Sequence, residues 1–270
     1  MSEHERPVNW RVVSGEFLDG PTNMAIDEAI LDAVSSGESP PTLRFYGWQP
    51  ACVSLGFRQP IEVVDQRRLA ERGWDLVRRP TGGRAILHVD ELTYSICAPV
   101  NEPRVRGTVL QSYRRLSQGL LAGLKRLGLV EVSARQEGDS QTASTTSGPA
   151  CFDNPADYEI VLGSQKLVGS AQVRRRQAVL QHGTLPLYGD VGRLADALHF
   201  EDSPARQQLA RELRQRATTV AAGLGRRVTF DEAADALQRG LAEALDIHLE
   251  AGTLTGAELE MARSLRWGKY

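Results

Sequence analysis

GPACFDNPADYEIVLGSQKLVGSAQVRRRQAVLQHGTLPL, residues Gly148 to Leu187, is the stretch around which the rest of the 270-residue chain is organised. Tyr158 to Leu162 is rich in strand-favouring residues, Gly163-Ser164 is a dipeptide that closes two-residue hairpins, and Lys166 to Val173 resumes the strand. Such a turn sets Lys166 across from Val161. A further strand, Ala178 to Leu187, carries His182 and Gly183 and is expected beside the hairpin. Cys151 comes before all of this. It follows a run of small polar residues, Asp139 to Gly148, with neither helical nor strand period, and it precedes the breaker Asn154-Pro155, so its thiol is expected in a loop reachable by solvent. One small region gathers a thiol, an ammonium and an imidazole.

Only about a few per cent of an ordinary cysteine is thiolate at neutral pH, and a nearby cation increases that share by stabilising the anion. Lys166 is a candidate for that cation. The same spacing also accommodates Cys151 as a small buried filler and Lys166 as a solvated strand residue. The other cysteines, Cys52 and Cys97, sit in apolar strand-like runs and read as inert core; three cysteines at wide spacing fit neither a disulfide framework nor a zinc site.

Outward from this centre, Trp10 to Val13 reads as a first strand and Thr22 as the N-cap of a helix over Met24 to Val34. Ile26, Ile30 and Val34 recur every four residues there while Asp27, Glu28 and Asp32 take other faces, the pattern of an amphipathic packing helix. Leu43 to Gly47 and Ala51 to Phe57 are short strands, Val63 to Arg72 a charged helix ended by Gly73, and Trp74 to Arg79 another strand. RRPTGGRAILH, Arg78 to His88, reads as a strand, a Thr-Gly-Gly turn and a second strand running on toward Leu92 to Ala98. Consecutive glycines let a ligand approach the backbone, and an ordinary hairpin turn uses them equally well. The segment lacks the Gly-Lys-Ser/Thr ending of a P-loop and the spacing of a dinucleotide fingerprint, though its two leading arginines could hold a phosphate-bearing group. Gln111 to Leu127 is expected to be a helix with Leu116, Leu120 and Leu124 in one stripe. Val191 to Leu198, Ala205 to Val220, Phe230 to Leu245 and Gly256 to Leu265 make the last quarter helical.

A formal net charge of −2 argues against a broad nucleic-acid surface, and the arginine clusters Arg67-Arg68, Arg78-Arg79 and Arg174-Arg175-Arg176 read either as solvated faces or as contacts for an acidic partner. No apolar run approaches the roughly 20 residues of a membrane span, and MSEHERPVNW lacks the apolar core of a signal peptide. A cytoplasmic monomer without membrane or nucleic-acid contact is expected. Strands come in adjacent runs rather than in βαβ alternation, so the fold class is α+β, one domain over residues 1–270 with a helical C-terminal extension.

TNMAIDEAIL, RRPTGGRAILH, ELTYSI, ACFDNPADYEI, KLVGSAQ and LQHGTLPL, in this order across almost the whole chain, resemble the biotin/lipoate protein ligase superfamily and specifically its LipM-type octanoyltransferases. The resemblance implies a mixed β-sheet flanked by helices, related to class II aminoacyl-tRNA synthetases, with a catalytic core over about residues 38–248 and a helical segment over about 249–270. It implies octanoyl transfer from octanoyl-acyl carrier protein, through a cysteine thioester, to a lysine of the glycine cleavage H protein or another lipoyl domain, with no cofactor. Cys151 then matches the acyl-carrying cysteine and Lys166 the lysine that lowers its pKa. Arg79, Thr81, Gly82, Gly83, His88, Gly169, Ser170, His182 and Gly183 are the implied substrate-binding residues.

The chemistry agrees with that implication. Exchange between thiols roughly conserves bond energy and attack by an amine yields a more stable amide, so no nucleotide is required. Backbone amides around Gly169-Ser170 or His182-Gly183 are candidates for holding the oxyanion. His182 itself could orient substrate, act as a base on the amine, or make a structural hydrogen bond. Burying an eight-carbon chain at about 0.8 kcal/mol per methylene needs an apolar slot, for which the Gly82-Gly83 turn and Gly169, Ser170 and Ala171 are natural walls. Two other readings remain at this stage: an ATP-dependent lipoate ligase on the same fold, and a non-catalytic module that binds acyl carrier or lipoyl domains.

Overall fold

Two sheets organise the structure, a computed structural model in which residues 8–136 and 158–270 are described. In chain order the elements are β1 (Val8–Leu18), α1 (Gly20–Ser36), β2 (Thr42–Trp48), β3 (Cys52–Leu55), α2 (Gln66–Arg72), β4 (Asp75–Arg78), β5 (Ile86–His88) and β6 (Glu91–Pro99). They continue with α3 (Val109–Arg126), β7 (Val132–Gln136), β8 (Tyr158–Leu162), β9 (Gln165–Arg175) and β10 (Ala178–Pro186). The last are α4 (Ser203–Arg216), α5 (Val220–Leu224), α6 (Phe230–Leu245), β11 (Ile247–Ala251) and α7 (Gly256–Gly268). The main sheet runs β11-β1-β2-β6-β10-β9-β8-β7, parallel at β11-β1-β2 and antiparallel elsewhere, and the small sheet runs β4-β3-β5. The mixed sheet flanked by helices is the α+β arrangement expected.

The hairpin at the centre of the sequence forms as its turn chemistry dictates. Gly163 takes a left-handed φ of 58°, Leu162 pairs with Gln165, and Lys166 faces Val161. β10 then lies antiparallel to β9 on one side and to β6 on the other.

Four expectations need correction. The N-cap of α1 is Asp19, whose carboxylate accepts from the Thr22 amide, so the helix starts earlier than Thr22. Asp27 and Glu28, on its other faces, are buried along with Ile26 and Ile30, because α1 is enclosed by the main sheet, the small sheet and α7. The strands flanking Thr81-Gly82-Gly83 do not form a hairpin; β4 and β5 each pair with β3 between them. The chain also breaks after His88, where Asp90 takes φ 53° and β6 passes into the other sheet.

The fourth correction concerns the C-terminal quarter, which is not wholly helical. Ile247–Ala251 adds to the main sheet parallel to β1, and α7 packs on α1 through Ala262. Arg11 of β1 donates to both oxygens of Glu258 in α7 at 2.8 and 2.5 Å, a buried bidentate pair that Ser39 completes. β1 and α1 are equally integral, since β1 pairs with both β2 and β11. No helix among the described residues is long and apolar enough to cross a membrane.

Candidate active site

On β10 His182 and Thr184 share a face, and register places Ser95 and Thr93 of β6 opposite them on one side and Ala171 and Gly169 of β9 on the other. α1 covers this face, and the small sheet closes over it from β3, β5 and the loop after β4. Between them lies a narrow pocket with a cavity volume of about 50 Å³. Its walls include Met24, Tyr46, Trp48 and Ile86 as well as the small residues Gly83, Gly169, Ala171 and Gly183.

Two carboxylate–histidine–hydroxyl chains flank the pocket, and both rings line it. In the first, Asp27 Oδ2 stands 3.5 Å from His182 Nδ1, and His182 Nε2 lies 2.6 Å from Thr81 Oγ1. In the second, Glu91 Oε1 lies 2.8 Å from His88 Nδ1, and His88 Nε2 lies 2.7 Å from Ser54 Oγ. A carboxylate only accepts, so the arrangement suits a ring that turns an Nδ1–H toward its carboxylate and lets Nε2 accept from the hydroxyl. Burial, together with the charges of Arg79 and His88, holds the His182 pKa below its ordinary value despite the opposing pull of the Asp27 carboxylate, and this favours the neutral ring at neutral pH. Burial alone would raise Asp27, but His182 and Arg44 outweigh it and hold the carboxyl below its ordinary value.

Each chain is braced. Asp27 also accepts from Arg44 at 2.9 Å, Tyr46 at 2.8 Å and Ser95 at 2.9 Å. Glu91 also accepts from Thr93 and Thr184, and Trp48 donates to Thr93 at 2.8 Å while stacking on His88 with ring centroids 4.0 Å apart. With these donors turned toward the two carboxylates, the pocket presents fixed ring faces and apolar walls.

Of the residues singled out from sequence, Arg79, Gly83, His88, Gly169, Ser170, His182 and Gly183 come together around this one pocket. Thr81 lies behind it, bonded to His182. Gly82 presents its carbonyl to Arg79, which also donates to Arg84 O at 2.8 Å and Ser54 O at 3.0 Å. This guanidinium binds the glycine turn to β3. Lys166 Nζ lies 2.7 Å from Glu159 Oε1, and its Cε passes 3.5 Å from where a β-carbon on Gly169 would stand, so it borders the pocket wall. Cys151 lies outside the described residues. Cys52 and Cys97 are buried as expected, and burial pushes both thiols well above their usual range.

Ser170 is bonded to Tyr94 at 2.7 Å, and burial pushes that phenol up to about 12. Sequence reasoning missed Asp27, Glu91, Ser54, Trp48 and Met24. Asp27 and Met24 lie in TNMAIDEAIL and Glu91 in ELTYSI, segments that carry the family resemblance, but helical and strand periodicity assigns them to packing or solvent positions.

The fold and site thus define a mixed sheet with an apolar, histidine-walled pocket under its first long helix. Over residues 19–242 the chain matches the lipoyl protein ligase A/B catalytic domain, and it belongs to that family. The octanoyltransferase LipM of Kyrpidia tusciae is 43% identical over 259 residues, covering 95% of this chain and 94% of that one. LipM of Bacillus subtilis is 36% identical over 264 residues, covering 97% and 95%. Among solved structures, a bipartite lipoate protein ligase from Thermoplasma acidophilum superposes with a TM-score of 0.78 at 26% identity, covering 98% of this chain and 94% of that one. Lipoate-protein ligase A bound with ATP gives 0.77 at 26% identity, covering 97% and 96%.

Proposed function

We propose that this chain is an acyltransferase of protein lipoylation that moves an octanoyl group from octanoyl-acyl carrier protein, by way of a thioester on Cys151, to a lysine of a lipoyl domain such as the glycine cleavage H protein. It acts in the cytoplasm, as a monomer, with residues 1–270 as one catalytic unit. The observation that carries this reading is that one strand, β9, holds both the wall of an apolar pocket at Gly169 and, three residues earlier, a buried ammonium at Lys166. The full-length likeness to proteins named octanoyltransferase LipM supports the same reaction.

In the first step the Cys151 thiolate attacks the carrier thioester carbon; the new C–S bond forms as the old one breaks, and the carrier leaves as thiolate and takes a proton. In the second the neutral acceptor amine attacks, the C–N bond forms, Cys151 leaves as thiolate and the amine sheds one proton. Lys166 supports the Cys151 anion. An oxyanion needs a donor at each step. β10 is flanked by strands on both sides, so the amides of His182 and Gly183 are used within the ladders. Among the described residues the pairing of β9 with β8 runs to Val168, and neighbouring amides alternate in direction, so one of Gly169 and Ser170 points away from β10 and is the better donor.

ATP-dependent ligation of a free acid is the competing reaction, because the solved ligases share the fold. Intact mass after incubation with octanoyl-acyl carrier protein separates the two. The expected result is a hydroxylamine-labile octanoyl adduct, absent in Cys151→Ser, and transfer to a lipoyl domain without ATP. A strict ATP requirement with an active Cys151→Ser enzyme would reject the transferase.

A further inference from the structure

Asp27 is wholly buried in α1, and its partners act as donors. From α1 it reaches Nδ1 of His182 on β10, and from Nε2 the chain passes to Thr81 in the loop between the sheets. That loop is held rigidly on its other side. The Thr81 carbonyl accepts from the Phe57 amide at 2.8 Å, Arg79 grips the carbonyls of Gly82 and Arg84, and the Gly83 carbonyl comes so near Gly56 that a β-carbon there would stand 1.8 Å away. The glycine turn therefore moves with the small sheet, and the Thr81–His182 hydrogen bond joins it to the main sheet.

Only one tautomer serves both ends of the chain. With the proton on Nδ1 the ring turns its N–H toward the Asp27 carboxylate 3.5 Å away and accepts from Thr81; with it on Nε2, an imidazole lone pair faces a carboxylate and the Thr81 bond must reverse. We infer that Asp27 is a positioning residue, which holds His182 in the Nδ1–H form and thereby pins Thr81 and the Gly82-Gly83 turn to β10, setting the spacing between the two walls of the acyl pocket. This rests on the reading of the pocket as an acyl slot. Its role is geometric: a reacting carbonyl held by a wall displaced by about 1 Å can lose on the order of a hundredfold in rate.

The test begins with unmodified protein. Long-range nitrogen-15 correlation spectra at pH 7, with the His182 signals assigned by comparison with His182→Gln, are expected to show the proton on Nδ1; a proton on Nε2 overturns the inference. Asp27→Asn can donate as well as accept, so it is expected to release the ring to the Nε2–H form, and an unchanged Nδ1–H signal counts against the inference. Asp27→Asn and Thr81→Val should each lower kcat/KM for octanoyl transfer by about a hundredfold, and the double variant should lose no more than either alone, since both cut one tie. Multiplied losses overturn it. If Asp27→Asn does not fold, Thr81→Val and the wild-type spectrum still decide. Should the wild type fail to move octanoyl groups at all, the functional reading falls, whereas the tautomer is still measurable and still tests the role of Asp27.

Discussion

Lys166 directs its ammonium at a carboxylate, Glu159, 2.7 Å away on the neighbouring strand, with both side chains largely buried. A paired ammonium stabilises a third charge less than a lone one, because the carboxylate repels the thiolate that the ammonium attracts. Lys166→Ala is therefore expected to slow alkylation of Cys151 at neutral pH, with much of the rate recovered in alkali. Glu159→Gln acts with the opposite sign: it leaves the ammonium and removes the competing anion, so iodoacetamide labelling of Cys151 below pH 7 should accelerate by about two- to tenfold. The readout is the pH dependence of labelling in the three proteins. Curves that superimpose would separate this ion pair from the thiol and leave Lys166 to structure.

Glycine decides how closely two pairs of elements approach. α3 carries Gly119 and Gly123 one turn apart, and Gly240 of α6 lies against them so tightly that a β-carbon there would stand 2.1 Å from the Gly123 nitrogen and 2.7 Å from the Gly119 oxygen. The leucine stripe of α3 was evident from sequence; this seam beside it was not. Gly240→Ala must push two backbones apart and is expected to cost about 1–3 kcal/mol, measured by urea unfolding, with octanoyl transfer by the folded fraction unchanged. Gly183→Ala differs, since its β-carbon would stand 2.6 Å from both the Gly169 oxygen and Ser170 Oγ, within the pocket wall. It should lose transfer activity as well as stability, and full activity would show that the acyl chain avoids this wall.

Across the whole molecule, acid acts on the buried histidine before the carboxylates. Burial keeps the folded-state pKa of His182 below its ordinary 6.5, so the stability it contributes is fully present above about pH 6.5 and is lost as pH falls from there through the lowered value. The charged and titratable groups that bear on it are Asp27 from α1, Arg44 and Tyr46 of β2 through Asp27, Arg79 from the loop after β4, and His88 from β5. Asp27 works in the same direction further down, present above its ordinary 3.8 and lost below as its depressed pKa is passed. Urea midpoints should fall as pH drops from 7 toward 5, and His182→Gln should flatten that slope; an equal slope in the variant would assign it elsewhere. The Arg174-Arg175-Arg176 cluster is less available for steering an acidic carrier than its sequence suggests. Arg174 donates to Val105 O at 2.8 Å, Arg175 pairs with Glu28, and the exposed Arg176 stands 3.4 Å from Asp32. Arg176→Glu is therefore expected to raise KM for octanoyl-acyl carrier protein by only about two- to threefold at low salt and not at all at high salt.

What could be read along the chain was what depends on near neighbours. Gly163-Ser164 set the hairpin and the Lys166–Val161 register, Gly73 ended α2, and the leucines of α3 marked its buried side, because turns, caps and helical stripes are decided within a few residues. The glycine turn and His182 were also legible as pocket residues, through their family resemblance. Asp27 was not, since an acidic residue in a helix reads as solvent-facing until Arg44, Tyr46 and Ser95, from strands 17 to 68 residues away, converge to satisfy it. β11 was missed for a similar reason: five residues with a weak strand signal gain their ladder only from β1 at the other end of the chain. The insertion of β3 between β4 and β5 likewise turned an apparent hairpin into two separate edges, with the glycine turn passing over the end of β3 and touching the main sheet through the Thr81–His182 hydrogen bond. Long-range hydrogen bonds and burial, which leave no local period, made those choices.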